Sequence, residues 1–186
     1  MIAVEDVEIR AVLEYALQST QSHIPKLTAL FNKENFPIPH GFSEDEDVDI
    51  DCPRLFSDSY YLRFLLRQSN IGLNTCGTVL ALSVRSDVIN FYTGCLMETT
   101  KLLTTTTEVL LSKGLYVRSP NIPMPKNVEF VKEKSFLAGF FGEVRPLSAL
   151  EITNLYSNTQ RNALGAETLI GYSQVAQHPK VKEYFH

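Results

Sequence analysis

From Gly114 to Pro146 the chain abandons the helical pattern that governs the rest of it. The stretch opens Gly114-Leu-Tyr-Val-Arg-Ser-Pro-Asn-Ile-Pro-Met-Pro125 and later reads Phe136-Leu-Ala-Gly-Phe-Phe-Gly142. A connection much beyond about 12–15 residues is uncommon in a compact domain, and usually serves a function or packs on a surface. This one is too apolar to be solvated throughout. Phe130, Val131, Phe136, Leu137, Phe140 and Phe141 would form a large exposed patch unless they pack on something. The expectation is a strap that crosses the outside of a helical bundle and delivers a last helix back to it.

The segments on either side carry apolar residues at spacings of three and four, the mark of one helical face. A first helix is predicted from Val4 to Asn32 through Ile9, Val12, Leu13, Ala16, Leu17, Ile24, Leu27, Leu30 and Phe31, with a kink near Gln21 imposed by Pro25. Phe36-Pro-Ile-Pro-His-Gly41 ends it. A second helix, capped by Ser57 or Asp58, runs to about Val84, and Ser69, Gly72 and Cys76 give it a small-residue line for close approach of a neighbour. The short break at Ser83 to Asp87 implies an antiparallel hairpin with a third helix, capped by Ser86 or Asp87 and running to Lys113. Gly114 stops it, with Lys113 placed to complement the helix dipole. Thr104-Thr-Thr-Thr107 lowers helix propensity, but threonine hydroxyls can bond carbonyls one turn back, so the helix is expected to continue. Ser148 and Glu151 form a capping box at the start of a fourth helix that reaches Gln177. His178-Pro179 ends it, and Lys180 to His186 allows one or two more turns. Each long helix spans roughly 42 Å at 1.5 Å per residue. The fold class expected is all-α: a single domain over 1–186, a ferritin-like up-and-down four-helix bundle with one long non-helical crossover.

Bulk properties narrow the function classes. The chain has 186 residues, enough for one domain with a sizeable core, and a formal net charge of −4. With no Lys/Arg cluster, nucleic-acid binding is not expected. No apolar run approaches the roughly 20 residues that span a bilayer, and the N-terminus is acidic where a secretion signal is basic. Surface binding to membranes through Phe136 to Phe141 is a third class of reading, for which the basic neighbours are few in number. Cys52, Cys76 and Cys95 are odd in number and form no CxxC pair, which fits a reducing, cytoplasmic setting.

Several motifs resemble one family. Phe36-Pro-Ile-Pro-His-Gly-Phe42, Pro53-Arg-Leu-Phe-Ser-Asp58, Ser112-Lys-Gly-Leu-Tyr-Val-Arg118, Val128-Glu-Phe-Val131, Ser135-Phe-Leu-Ala-Gly139 and Arg145-Pro-Leu147 are similar to the family catalogued as domain of unknown function 3231, found in spore-forming Gram-positive bacteria. The resemblance covers nearly the whole chain. It implies ferritin-like bundles, often two in tandem, and carries no activity and no catalytic residues. Members normally begin with a helix that this chain lacks, and the fourth helix here resembles that missing helix as taken from a following repeat. Val181-Lys-Glu-Tyr-Phe185 echoes Ile9-Arg-Ala-Val-Leu13. On this reading the domain holds helices two to four of one repeat plus helix one of the next. The fourth helix fills the open slot in its own chain or in a partner, so a homodimer with exchanged helices is one arrangement that covers the apolar face.

The residues themselves supply no reaction. Di-iron bundles need glutamates from two helices and a Glu-x-x-His pair from each of the others. The only such spacing is Glu183-Tyr-Phe-His186, at the chain end, while His40 and His178 lie beside prolines. The acidic run from Ser43 to Asp51 lacks calcium-loop spacing and reads as a solvated loop. Nucleophile elbows and glycine-rich phosphate loops are missing too. Near mid-helix the seams turn polar at Asn74 and Thr75, Glu98 and Thr99, Thr159 and Asn162, with His23 able to join. Structural hydrogen bonding explains such a layer more simply than a ligand pocket. The expectation is therefore no catalytic, cofactor-binding or metal-ligating residue, no cofactor, and a non-catalytic structural or interaction role; the alternative is a ligand- or metal-binding bundle built on the polar layer.

Overall fold

In the computed structural model, residues 4–128, 130–132, 134–137 and 145–185 are described. Four long helices carry the fold: α1 (Val7–Lys33), α3 (Asp58–Leu82), α4 (Ser86–Ser112) and α5 (Ala149–Val175). Two short ones accompany them, α2 (Glu44–Asp47) and α6 (Pro179–Tyr184), with a 3₁₀ turn at Lys134–Leu137. Among the described residues there is no strand, so the chain is all-α.

Local chemistry sets the ends. The Ser57 side chain accepts the Tyr60 N–H at the start of α3, and Ser148 and Glu151 complete the capping box of α5. At the end of α4, Gly114 takes φ +67°, Leu115 N–H donates to the Leu110 carbonyl at 2.8 Å and Gly114 N–H to Leu111 at 3.1 Å. This is a Schellman ending, with Leu115 packed back toward Leu110. The end of α1 repeats it with Asn35 at φ +56° and a Phe36-to-Phe31 bond of 3.1 Å. Pro25 lies inside an unbroken α1. One expectation fails here. At α4 the cap position falls on Arg85, which makes no side-chain cap bond. Asp87 cannot cap because Arg85 holds it through two bonds, Nε–Oδ1 at 3.1 Å and Nη2–Oδ2 at 2.8 Å, inside the first turn.

Long-range bonds fix the helix directions. Asp6 N–H donates to Asp58 Oδ2 at 3.0 Å, so the starts of α1 and α3 lie side by side and the two helices run parallel. Lys113, at the end of α4, bonds Asp6 at 2.7 Å and Glu8 at 2.6 Å, while Lys33 at the end of α1 meets Asp87 at 3.2 Å. Hence α4 is antiparallel to both. Tyr60 near the start of α3 meets Thr168 near the end of α5 at 2.6 Å, so α5 is antiparallel to α3 as well. The order is up, up, down, down, with two long connections, 34–57 and 113–148. The expected up-and-down order with one crossover is corrected: once α1 and α3 start at the same end, the first connection must return along the bundle as the second does.

The core lies where the three directions meet. Val4, Ile9, Leu62 and Leu110 are buried together, flanked by Leu13, Tyr61, Leu66, Val109 and Leu115. The small-residue line works as expected: Ser69 and Cys76 are buried and Gly72 faces Thr99 of α4. By contrast, α5 packs on α3 and α6 and meets neither α1 nor α4. The strap also departs from expectation. Phe130 and Val131 are exposed, and Phe136 stacks under the Arg145 guanidinium at 4.2 Å. Arg145 turns that part of the connector onto the start of α5 through the Phe136 carbonyl and Glu151. Phe140 and Phe141 lie outside the described residues, as do Ala138, Gly139 and Gly142.

Candidate functional site

The polar layer predicted at mid-helix forms between two helices rather than four. Tyr15 and His23 share one side of α1; Phe91, Cys95 and Glu98, spaced four and three apart, share one side of α4. The facing sides bring His23 Nε2 to 2.8 Å from Glu98 Oε2 and 3.6 Å from Cys95 Sγ, with the Phe91 ring edge-on to the imidazole at 5.7 Å. The Tyr15 hydroxyl donates to the Glu98 carbonyl at 3.3 Å, and the Lys101 ammonium sits 4.6 Å above the Tyr15 ring. A shallow cavity of about 360 Å³ opens beside His23 and Cys95, with Lys26 and Asn90 on its wall.

This constellation has the residue types of a cysteine nucleophile, a base and an acid, but not the connectivity. A relay requires the two imidazole nitrogens to serve different partners, one the nucleophile and the other the orienting acid. Here Glu98 and Cys95 both approach Nε2. Burial, then the neighbouring Cys76 and Glu98, push the Cys95 thiol above its ordinary value; burial does the same to Cys76. Both cysteines behave as small hydrophobes with reluctant thiols. The pair His23–Glu98 joins α1 to α4 by a hydrogen bond between partly exposed side chains.

The other residues of the expected layer lie apart. Asn74 bonds back to the Asn70 carbonyl at 2.9 Å and Thr159 to Leu155 at 2.9 Å, both exposed. Thr75 and Asn162 are exposed, and Thr99 packs on Gly72. His40 is exposed in its loop, and His178 caps α6 by accepting the Lys180 N–H at 3.3 Å. Glu183 lies on α6, and its spacing partner His186 is outside the described residues. In the acidic run, Asp47 accepts the Ser43 N–H at 2.8 Å and Asp49 the Asp51 N–H at 3.0 Å, so these carboxylates serve their own backbone. Among the described residues, no group of three His, Cys, Asp or Glu is arranged to hold a metal ion. No helix among them is long and apolar enough to cross a membrane.

Two features escaped the sequence. Lys113, expected only to complement a dipole, bridges α4 to Asp6 and Glu8 of α1. Arg67, four residues after Arg63 on α3, has its Nε and Nη2 atoms buried without a hydrogen-bond partner among the described residues. The i, i+4 spacing of two arginines on an otherwise apolar helix was the one available signal, and solvated arginines produce the same pattern.

Neither the curated proteins nor the solved structures contain a match to the chain. A family model described as Protein of unknown function (DUF3231) matches residues 1–128, which span α1 to α4 and stop short of α5. With more than half of its length matched, the chain belongs to the DUF3231 family.

Proposed function

We propose that this protein is a non-catalytic structural or interaction module of a spore-forming bacterium, working in the cytoplasm as a homodimer whose α5 helices complete one another's bundles. The observation that carries the reading is unburied surface. The chain exposes 14662 Å², whereas a compact protein of its 21.0 kDa exposes about 9,000 Å². The excess is roughly 5,700 Å²; the extended connections account for part of it, and an obligate interface buries about 2,000–5,000 Å². Of the 27 residues of α5, only Gly171 and Ser173 are buried. Leu150, Leu155, Leu169, Ile170 and Val175 are exposed on the same helix.

A second copy is the natural occupant because a two-fold contact presents the same apolar stripe twice. The net charge of −4 sets up little repulsion between copies. The family match stops before α5, in keeping with a helix borrowed from the next repeat of a tandem arrangement. The four long helices support a ferritin-like reading at the level of long packed helices. The three cysteines are all free, consistent with a reducing compartment.

Size-exclusion chromatography with light scattering tests the proposal. The expected mass is twice the 21.0 kDa of one chain, falling to a single chain in a Leu155→Glu/Leu169→Glu double variant. A wild-type protein that stays monomeric at every concentration overturns it.

A further inference from the structure

At Gly72 the helices α3 and α4 come together so tightly that a Cβ placed there would sit 4.0 Å from the Thr99 Cβ and 3.1 Å from its methyl carbon. That Cβ-to-Cβ spacing lies within the range of about 3.5–4.5 Å found across disulfide bonds. Because the two helices are antiparallel, one turn forward on α3 and one turn back on α4 move the same distance, about 6 Å, in the same direction. Four residues on from Gly72 is Cys76, and four back from Thr99 is Cys95. The register therefore sets the two cysteines opposite each other in the seam. Both are buried, and both thiols are free. Burial first, and then the Cys76 thiol, push the Cys95 thiol up, so the two sulfurs lie in each other's field.

The two sulfurs differ in access. Cys95 lines the shallow cavity beside His23, whereas Cys76 does not. A molecule the size of hydrogen peroxide can reach Cys95 from that side and would find Cys76 behind it. The third cysteine is kept away. Arg54 is tied to Glu5 at 3.1 Å and to Asp58 at 2.6 Å, which holds Cys52, two residues earlier, at the start of α3. Cys76 lies about 27 Å further along that helix at 1.5 Å per residue. Cysteines whose Cα atoms are more than about 7 Å apart cannot be bridged without moving the backbone.

We propose that Cys76 and Cys95 are a modification site: a reversible disulfide bond that peroxide closes across the α3–α4 hairpin. The Cys95 thiol loses its proton to water in the cavity, since His23 gives its Nε2 to Glu98. The thiolate attacks one peroxide oxygen, the O–O bond breaks, and hydroxide leaves to take up a proton, with Cys95 now a sulfenic acid. The Cys76 sulfur then attacks the Cys95 sulfur. The S–S bond forms, the S–O bond breaks, and the Cys76 proton leaves with the hydroxyl as a second water. Two thiols are oxidised by two electrons in all, and one peroxide is reduced to two waters. A dithiol reverses the step by exchange, its own thiols becoming the disulfide. Raised thiols react slowly, so the bridge records sustained oxidation rather than turning over. Closed, it pins α3, the long helix on which α5 docks, to α4. The inference does not depend on the dimer, because both cysteines belong to one hairpin.

Hydrogen peroxide on the full chain is the probe, and peptide mapping of the non-reduced digest is the measurement. The oxidised chain should be lighter by two hydrogen atoms and should yield a peptide pair joining Cys76 to Cys95. That pair should exceed any bridge from Cys52 within one chain by at least about tenfold. In denaturant the preference should vanish, leaving the Cys52–Cys76 and Cys76–Cys95 bridges within about threefold of each other, because the two loops are of similar length. Cys52→Ser should keep the native bridge, and dithiothreitol should restore both thiols. Three results would each overturn the proposal: no Cys76–Cys95 pair from the native wild type, the same bridge ratio in native and denatured protein, or Cys95 passing to the sulfinic acid while Cys76 stays a thiol.

Discussion

Phe56 and Gly171 touch so closely that no side chain fits between them. A Cβ added at Gly171 falls against the Cε1 and Cζ atoms of the Phe56 ring, and that ring is stacked on Tyr60 at 4.0 Å between centroids. The loop before α3 thus reaches up to hold the far end of α5. Since α5 contacts no other long helix of its own chain, this contact and the Tyr60–Thr168 bond carry much of its docking.

Gly171→Ala should loosen α5 from α3. Alanine improves helix propensity by about 1 kcal/mol, but overpacking costs about 1–3 kcal/mol when the neighbour is held in place. Hydrogen exchange should therefore accelerate along α5 and remain unchanged in α1 and α4. Combining Gly171→Ala with Phe56→Leu should restore protection, because the smaller side chain vacates the space. Unaltered exchange in the single variant would show that the Phe56 contact does not hold the helix.

Thr106 offers a test in the opposite direction. Its residue is fully buried, and its hydroxyl has no hydrogen-bond partner among the described residues. Its neighbours in the threonine run do better: Thr104 bonds the Thr100 carbonyl at 3.0 Å and Thr107 the Leu103 carbonyl at 2.8 Å. Thr106→Val keeps the shape and removes the stranded hydroxyl. Denaturant unfolding should show a gain of about 1 kcal/mol, and a loss would mean that the hydroxyl is satisfied in solution.

Helix endings can be tested in a matched pair. Gly114 and Asn35 both occupy the left-handed region at the third corner of a Schellman ending, and a Cβ at Gly114 would meet nothing within 4 Å. Any penalty at Gly114 is thus one of backbone conformation alone. Gly114→Ala should destabilise by about 1–2 kcal/mol, whereas Asn35→Gly should be neutral or stabilising by a few tenths of a kcal/mol. Equal effects from the two substitutions would argue against this shared ending.

What could be read from the chain follows the range of the interactions. Caps at Ser57 and Ser148, the stop at Gly114 and the close face of Ser69, Gly72 and Cys76 depend on residues within a turn or two of one another. Helix direction does not. The parallel pairing of α1 and α3 rests on Asp6 reaching Asp58, 52 positions away, and the placement of α5 rests on Phe56 against Gly171. The polar layer was half legible for the same reason: His23 and Glu98 stood out as polar groups on apolar faces, but Thr159 and Asn162 belong to a helix whose partner face could not be inferred. Arg67 was illegible because a buried guanidinium without a partner has the same one-letter context as a solvated one.

Glu151 makes the start of α5 sensitive to acid. Arg145, then the Ser148 backbone and hydroxyl, hold its carboxyl at about 2 against an ordinary 4.5. A carboxyl depressed on folding stabilises the folded state fully above its unfolded value, and that contribution is lost as pH falls through the folded one. The first turn of α5 should therefore begin to fray below about pH 4.5 and be released near pH 2. Glu151→Gln preserves the capping geometry but not the charge, so it should remove this pH response. Amide shifts of Ala149 to Ile152, followed down the pH range in both proteins, make the comparison; identical titrations would assign the response to another group.

The cysteines decide between an inert and an activated mid-helix layer. Cys76 and Cys95 are buried, and their thiols are pushed up by that burial, while Cys52 is partly open to solvent in the loop before α3. A thiol reacts as the thiolate, so a buried thiol with a raised pKa waits for the helix to open. With a neutral thiol reagent under native conditions, Cys52 should be modified first. Cys76 and Cys95 should follow at least about a hundredfold more slowly, the factor set by an opening free energy near 3 kcal/mol. Peptide mapping by mass spectrometry identifies each site. If Cys95 matched Cys52, the imidazole of His23 would be drawing its proton despite sharing Nε2 with Glu98, and the non-catalytic reading of the α1–α4 layer would fall.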